Sequence, residues 1–204
     1  MSHYFAARPT VASRPVEIRA KLRGRSWAFL TDRGVFARGG IDPGTRLLIE
    51  AMDIGPEDRV LDLGCGYGAV GLVAAALASA GHAVLVDVNE RAVALAQENA
   101  RRNGITNVEV LHGDGCTPVA GRQFDAIVSN PPIRAGKTLL RRLIHEVFDH
   151  LRSGGRFFFV ARTAQGAQTL ARDVAAILGN VKELERESGY RVFEATKTVE
   201  ELES

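Results

Sequence analysis

Glycines and an acidic residue gather in one short stretch of the chain, where an apolar strand meets a helix. The stretch runs from Val60 to Gly71 and reads VLDLGCGYGAVG. Glycine lets the backbone turn tightly and approach a ligand closely, and the following helix presents free N–H groups at its start. Read from Gly66, the stretch also fits the G-x-G-x-x-G pattern of dinucleotide sites. The glycines alone therefore predict a nucleotide-like ligand without specifying it.

Acidic residues at three successive strand ends narrow the choice of ligand. Asp62, aimed into the glycine turn, repels a dinucleotide pyrophosphate but attracts a ligand that carries an ammonium and a sulfonium. S-adenosylmethionine is such a ligand, whereas the nicotinamide cofactor of a dehydrogenase is the weaker alternative. Asp87 is placed to accept from ribose hydroxyls, and Asp114 from an adenine amino group. The predicted cofactor-binding residues are Asp62, Gly64, Cys65, Gly66, Gly68, Asp87, Val88, Asp114, Gly115 and Asn130.

A fourth strand ends in Ser129-Asn130-Pro131-Pro132-Ile133. An amino group conjugated to a ring is a poor nucleophile because its lone pair is delocalised. If the Asn130 side-chain oxygen and the Pro131 carbonyl each accept one N–H, the nitrogen becomes more tetrahedral and its lone pair points at a methyl donor. Positioning then replaces a strong base, since a sulfonium is already a good leaving group. We predict Asn130, Pro131 and Pro132 as catalytic residues.

Together these residues resemble class I S-adenosylmethionine-dependent methyltransferases. Specifically, they are similar to the small-domain family that includes bacterial small-subunit ribosomal RNA guanine-N2 methyltransferases, in its stand-alone, single-domain branch. The resemblance implies a seven-stranded sheet with an antiparallel last strand, cofactor at the carboxyl ends of the first strands, and Asn130 at the target amine. Besides the glycine turn, the matching blocks are His3–Phe5, Gly40–Thr45, Val86–Ala92, Asn130–Lys137 and Gly189–Val192.

Ile133 departs from many relatives that methylate adenine N6 or protein glutamine, because those carry an aromatic residue there that stacks on the target. The departure favours guanine N2 of small-subunit ribosomal RNA, with adenine N6 or a glutamine side chain as alternatives. A non-catalytic RNA-binding or assembly module on the same fold is disfavoured, because no cofactor position has been lost.

Basic residues surround the predicted catalytic loop. Residues 1–38 carry eight Lys and Arg side chains against two acidic ones, which is typical of a surface that binds a polyanion. We predict that Arg38, Arg134 and Lys137 contact RNA phosphates, in which case the affinity falls with added salt. Three aromatic side chains near the N-terminus are spaced as in strands, which favours packing over stacking on bases: Tyr4, Trp27 and Phe29.

Short β-rich runs alternate with longer amphipathic helices from about residue 56 onward, the pattern of a parallel sheet covered on both faces. The predicted strands are Arg59–Leu63, Ala83–Val88, Val108–His112, Phe124–Ser129 and Arg156–Ala161, followed by a hairpin of Val181–Glu185 and Tyr190–Thr196. The predicted helices are Thr45–Asp53, Gly68–Ser79, Glu90–Asn103, Lys137–Leu151 and Ala164–Leu178. We expect a doubly wound α/β methyltransferase domain over residues 41–204, preceded by a basic extension over residues 1–40 that contains a small hairpin.

The composition of the chain limits the class of protein, its disulfides and metals, and its location. The chain has 204 residues, of which 46% are hydrophobic and 25% charged, and this fits one globular domain. Two cysteines, Cys65 and Cys116, are too few for a disulfide framework. His145 and His150 are five residues apart, one too many for a zinc-protease helix, so we expect no metal. With no long apolar run and no signal-peptide core, we expect a cytoplasmic protein without a membrane partner.

Overall fold

Strands and helices alternate along most of the chain. The computed structural model describes residues 9–198, so the block at His3–Phe5, with Tyr4, lies outside the described residues. The strands are β1 (Val16–Leu22), β2 (Arg25–Thr31), β3 (Arg59–Leu63), β4 (His82–Asp87), β5 (Val108–His112), β6 (Phe124–Ser129), β7 (Leu151–Arg162), β8 (Lys182–Glu187) and β9 (Tyr190–Thr196). The α-helices are α1 (Pro43–Ala51), α2 (Ala69–Leu77), α3 (Glu90–Arg102), α4 (Lys137–His150) and α5 (Ala167–Leu178).

Seven of the strands form one sheet in the order β5-β4-β3-β6-β7-β9-β8. Strands β3 to β7 run parallel, while β9 pairs antiparallel with both β7 and β8. This arrangement confirms the predicted Rossmann-like sheet with an antiparallel last strand. The chain reverses its direction of travel across the sheet between β3 and β6, and ligands of open α/β sheets bind beyond the strand ends at such a switch point.

Two hydrophobic clusters cover the faces of this sheet. On one face α1, α2 and α3 pack with residues such as Leu48 and Leu72, and on the other α4 and α5 pack with Ile144 and Val174. The central strands are apolar at nearly every position because both of their faces are buried. Among residues 9–198, no helix combines the length and the apolar character that a membrane crossing needs.

A separate two-stranded sheet, β1 and β2, packs on α3. The side-chain amides of Asn99 and Asn103 bond the backbone of β2 at Leu30 (2.7 Å) and Ala28 (3.1 Å). Trp27, which is 3% exposed, stacks on the fully buried Phe29, so the packing role expected of both rings is the observed one. The hairpin shares a hydrophobic cluster with α1 and α2, and the division at residue 40 stays a prediction.

The structure differs from the sequence interpretation at Ser153–Gly155, the residues between the predicted helix Lys137–Leu151 and the predicted strand Arg156–Ala161. Helix α4 already ends at His150, and the three residues lie inside β7. There the pairing with β6 shifts register, as in a β-bulge, which accommodates extra residues in one strand. Gly154 provides the positive φ of 74° that this irregularity needs.

Candidate active site

A cavity of about 700 Å³ opens at the carboxyl edge of the sheet, beside the switch point between β3 and β6. This volume lies within the range of roughly 300–1,000 Å³ that is usual for small-molecule sites. Gly68, Arg38 and Lys137 do not belong to its lining. The other predicted site residues all line it: Asp62, Gly64, Cys65, Gly66, Asp87, Val88, Asp114, Gly115, Asn130, Pro131, Pro132 and Arg134.

The glycine turn is held against β4 by its backbone. Gly64 and Cys65 donate their N–H groups to the carbonyl of Val86, at 2.9 and 3.0 Å. Gly64 and Gly66 have φ of 80° and 56°, and no atom lies within 4 Å of where a Cβ would stand on either. Their backbone therefore borders open space and can touch a ligand directly. Gly68 packs closely on α3, because a Cβ there would press on Ala96 at 3.1 Å, and its contact with the cofactor stays a prediction.

Asp62 is buried at the base of this turn, with 2% of its surface exposed. Its Oδ2 accepts the N–H of Gly71 in the first turn of α2, at 2.7 Å. Burial raises the pKa of Asp62 to about 7; nearby Asp87 adds to the rise and the Gly71 hydrogen bond opposes it. A buried carboxylate of this kind gains from a cationic partner, which fits the sequence interpretation of a ligand with an ammonium group.

Asp87 ends β4 and faces the same turn. Its two carboxylate oxygens accept the N–H groups of Gly66 and Asn89, each at 2.8 Å. Burial raises its pKa, and these two hydrogen bonds oppose the rise. A carboxylate oxygen can accept more than one hydrogen bond, so Asp87 retains acceptor capacity for the two hydroxyls of a ribose.

Asp114 is an exposed residue paired with Arg142 of α4. The guanidinium bonds both carboxylate oxygens at 2.8 Å and holds the pKa of Asp114 below its usual range. Arg142 also lines the cavity, beside Leu139 and Leu143. Sequence reasoning missed Arg142, because only the folded chain brings α4 over the loop after β5. Contact between Asp114 and an adenine stays a prediction.

Asn130 stands at the end of β6 with its amide in one defined orientation. Its Nδ2 donates to Thr45 Oγ1 at 3.1 Å, and its Oδ1 accepts no hydrogen bond from residues 9–198. The Pro131 carbonyl accepts the N–H of Ile133 at 2.9 Å and keeps a second lone pair. The cavity thus contains an amide oxygen and a main-chain carbonyl at adjacent residues, the pair of acceptors expected for an amine.

Cys65 is a buried residue of the glycine turn, and its contact with the cofactor stays a prediction. It is 8% exposed and belongs to the larger hydrophobic cluster. Burial raises the pKa of its thiol, and the neighbouring carboxylates Asp87 and Asp62 raise it further. Because only a thiolate is a strong nucleophile, covalent catalysis by Cys65 is not supported.

Phe36 is a cavity residue that sequence reasoning missed. Its side chain is 44% exposed, and no other large hydrophobic residue in the described part of the chain is so exposed. It lines the cavity together with Ile133 and Arg134. The sequence did contain one indication that this ring is exposed. Phe36 lies in the Gly-rich segment before Gly40, which has no helical or strand periodicity that would predict a core residue.

Three comparisons place this geometry among known proteins. The sequence profile of the methyltransferase small domain matches residues 26–194. The uncharacterized protein YbxB of Bacillus subtilis is 36% identical over 197 residues, which is 96% of this chain and 98% of that protein. Ribosomal RNA small subunit methyltransferase C of Pseudomonas entomophila is 34% identical over 168 residues, 80% of this chain and 49% of that enzyme.

A solved structure extends the similarity to three dimensions. The 16S rRNA N2 methyltransferase RsmC of T. thermophilus, in complex with AdoMet and guanosine, superimposes with a TM-score of 0.81 at 29% identity. The match covers 93% of this chain and 52% of that one, so the chain spans about half the length of these ribosomal RNA methyltransferases. The resemblance stated from the motifs is confirmed, and the chain belongs to the methyltransferase small domain family.

Proposed function

We propose that this protein is an S-adenosylmethionine-dependent N-methyltransferase that acts on RNA, with guanine N2 of small-subunit ribosomal RNA as its target. The observation that carries the proposal is the Oδ1 of Asn130, which accepts no hydrogen bond from residues 9–198 and belongs to a residue of the cavity. The same cavity contains the glycine turn, the buried carboxylate of Asp62 and the half-buried carboxylate of Asp87. The similarity to the ribosomal RNA small subunit methyltransferase C of P. entomophila and to the 16S rRNA N2 methyltransferase of T. thermophilus supports this choice. Those enzymes are about twice as long as this chain, so their activity is proposed for it and is not established by the similarity.

S-adenosylmethionine fits the residues that line the first part of the cavity. Open space above Gly64 and Gly66 allows close backbone contact, and Asp62 suits the ammonium of the methionyl group. Asp87 holds the ribose; Val88, Asp114 and Gly115 surround the adenine. When bound, the cofactor supplies a methyl group on a positively charged sulfur that leaves as a thioether.

Asn130 and Pro131 prepare the target amine. Asn130 Oδ1 and the Pro131 carbonyl each accept one N–H, which localises the nitrogen lone pair and aims it at the methyl carbon. With the cofactor bound, this nitrogen would take the methyl carbon as the C–S bond breaks, and the electron pair of that bond would remain on sulfur. One N–H proton then passes to water, so no strong base is required of the chain. The contribution of the residues is orientation and hydrogen bonding.

Recognition of the base is assigned to Phe36. Aromatic side chains that stack on unpaired bases contribute about 1–3 kcal/mol per base, and Phe36 is exposed at the cavity while Trp27 and Phe29 are buried. The target base leaves its stack, or is already unpaired, before it reaches Asn130. Ile133 is not aromatic, so it offers no second ring for the base to stack on.

Phosphate contacts are assigned to the three basic residues predicted from the sequence. Arg134 lines the cavity, and Lys137 follows at the first residue of α4. Arg38 lies outside the cavity, where its guanidinium donates to the carbonyl of Arg14 at 3.4 Å. We propose that Arg134 and Lys137 lie nearest the target nucleotide, with Arg38 farther along the RNA.

The experiment that tests this function is incubation with labelled S-adenosylmethionine and unmodified small ribosomal subunits or naked ribosomal RNA, followed by nucleoside mass analysis. We expect N2-methylguanosine. N6-methyladenosine, or label in protein glutamine, would contradict the guanine assignment. Cofactor binding by calorimetry without any transfer to RNA would support a non-catalytic module, and affinity for a nicotinamide cofactor instead would support a dehydrogenase.

A further inference from the structure

Three distant segments of the chain meet beside Asn130 through side-chain hydrogen bonds. Thr45 Oγ1 accepts from Asn130 Nδ2 at 3.1 Å, and the backbone N–H of Thr45 donates to Asp42 Oδ2 at 3.0 Å. The other oxygen of that carboxylate, Asp42 Oδ1, accepts from the Tyr190 hydroxyl at 3.0 Å. A continuous series of bonds therefore links the start of β9 to the amide at the end of β6.

The orientation of an asparagine amide decides whether it can bind an amine. A rotation of about 180° around its terminal torsion exchanges the oxygen acceptor for the NH₂ donor. An aromatic amine offers N–H donors, so it pairs with Asn130 Oδ1 but meets donor against donor if Nδ2 faces it. In the structure Thr45 Oγ1 accepts from the NH₂ end, and the oxygen end is left for the target. The hydroxyl of Thr45 holds the amide in place, and the N–H of the target pairs only with the orientation that the structure shows.

The position of Thr45 is itself fixed by its surroundings. Thr45 is 7% exposed, so water competes little for its hydroxyl. It lies in the first turn of α1, where Asp42 is the N-cap residue. The ring of Tyr190 packs so closely on Gly44 that a Cβ on this glycine would collide with it. The Arg162 guanidinium lies 5.0 Å from the centroid of the Tyr190 ring. Helix α1 is thus anchored to β9 at the level of the site.

We propose that Thr45, held in place by Asp42 and Tyr190, is a positioning residue that fixes the Asn130 amide with its oxygen toward the target amine. The inference deepens the proposed function and rests on it. Thr45 lines the same cavity, and the role proposed for it is exerted through Asn130.

The kinetic test compares Thr45→Val with Thr45→Ser. Valine keeps the shape of threonine but lacks the hydroxyl, so we expect kcat to fall about tenfold, with little change in the KM for RNA or the Kd for the cofactor. Serine restores the acceptor, and we expect it to recover most of kcat. Thr138→Val is the matched control, because Thr138 is exposed in the first turn of α4, and its kcat should equal that of the wild type.

A double variant separates positioning from general stability. Thr45→Val should lower turnover no further when Asn130 is already alanine, because the residue acts through that amide. An equal loss in both backgrounds would overturn the inference, as would a Thr45→Val enzyme with normal kcat or a Thr45→Ser enzyme as slow as Thr45→Val.

A measurement independent of turnover keeps this inference distinct from the proposed function. The side-chain NH₂ signal of Asn130 in NMR spectra, identified by its loss in Asn130→Ala, should exchange slowly with solvent in the wild type and Thr45→Ser and rapidly in Thr45→Val. Rapid exchange in the wild type would overturn the positioning role even if RNA is methylated. Slow exchange in a wild-type protein that methylates no RNA would instead overturn the proposed function alone.

Discussion

The cavity has two halves that are built in different ways. The glycine half consists of residues 62–71 and 86–89, and backbone groups make its bonds over short separations, such as 9 residues between Gly71 and Asp62 and 21 between Gly66 and Asp87. The amine half consists of Asp42, Thr45, Asn130 and Tyr190, joined by side chains across 85 and 148 residues. Neighbouring strands alone build the first half, whereas the second exists only when α1, β6 and β9 are all in place.

The largest effect is expected from Asn130→Ala, which removes the acceptor of the amine half. Loss of one preorganised hydrogen bond at a reacting group costs about 10²–10³ in kcat. The glycine half is untouched, so calorimetry should give an unchanged Kd for S-adenosylmethionine. A kcat equal to that of the wild type would remove Asn130 from the mechanism. A large increase in the Kd for the cofactor would show that the two halves are not separable.

Asp87→Ala should damage the opposite half. The substitution removes a carboxylate that accepts two backbone N–H groups and is assigned to the ribose. Hydrogen bonds to charged groups contribute about 1.5–3 kcal/mol, so we expect the Kd for the cofactor to rise roughly 10- to 100-fold by calorimetry. Asp87→Asn, which keeps one acceptor oxygen, should lie between the two. An unchanged Kd in Asp87→Ala would contradict the assignment.

Phe36→Ala tests whether the exposed ring serves the RNA or the cofactor. At about 1–2 kcal/mol of stacking, the KM for RNA should rise roughly tenfold while the Kd for S-adenosylmethionine stays constant. Phe36→Trp should retain RNA affinity because it keeps an aromatic face, whereas Phe36→Leu should not. If the cofactor Kd rises and the KM for RNA does not, Phe36 covers the glycine half instead.

The smallest effect expected is a pH dependence of cofactor binding that originates at Asp62. With its pKa raised to about 7, this carboxyl is mostly charged at pH 7.5 and mostly neutral at pH 6. The charged fraction of Asp62 falls about eightfold over that interval, and the attraction for an ammonium falls with it, so we expect Kd to rise by about the same factor. Asp62→Asn keeps an acceptor for Gly71 and should give a flat profile. A flat profile in the wild type would remove Asp62 from cofactor recognition.

The contrast between the halves also explains what the sequence could predict. Asp62 and Asp87 lie at the ends of apolar strands, and the glycines follow the first of these strands directly, so local patterns located them. The alternation of elements predicted the sheet. The Thr45–Asn130 bond, the Asp114–Arg142 pair and the exposure of Phe36 depend on tertiary packing, for which short-range patterns carry no signal. The bulge at Gly154 was missed because the sequence Ser-Gly-Gly is as typical of a helix end as of a β-bulge.

The most direct test of the whole account is a crystal structure with S-adenosylmethionine and guanosine bound together. The account predicts the methionyl group on Gly64 and Gly66, the ribose on Asp87, and the guanine amino group between the methyl carbon and Asn130 Oδ1, with Nδ2 still bonded to Thr45. A cofactor bound elsewhere, or an Asn130 amide whose NH₂ faces the guanine amine, would contradict it.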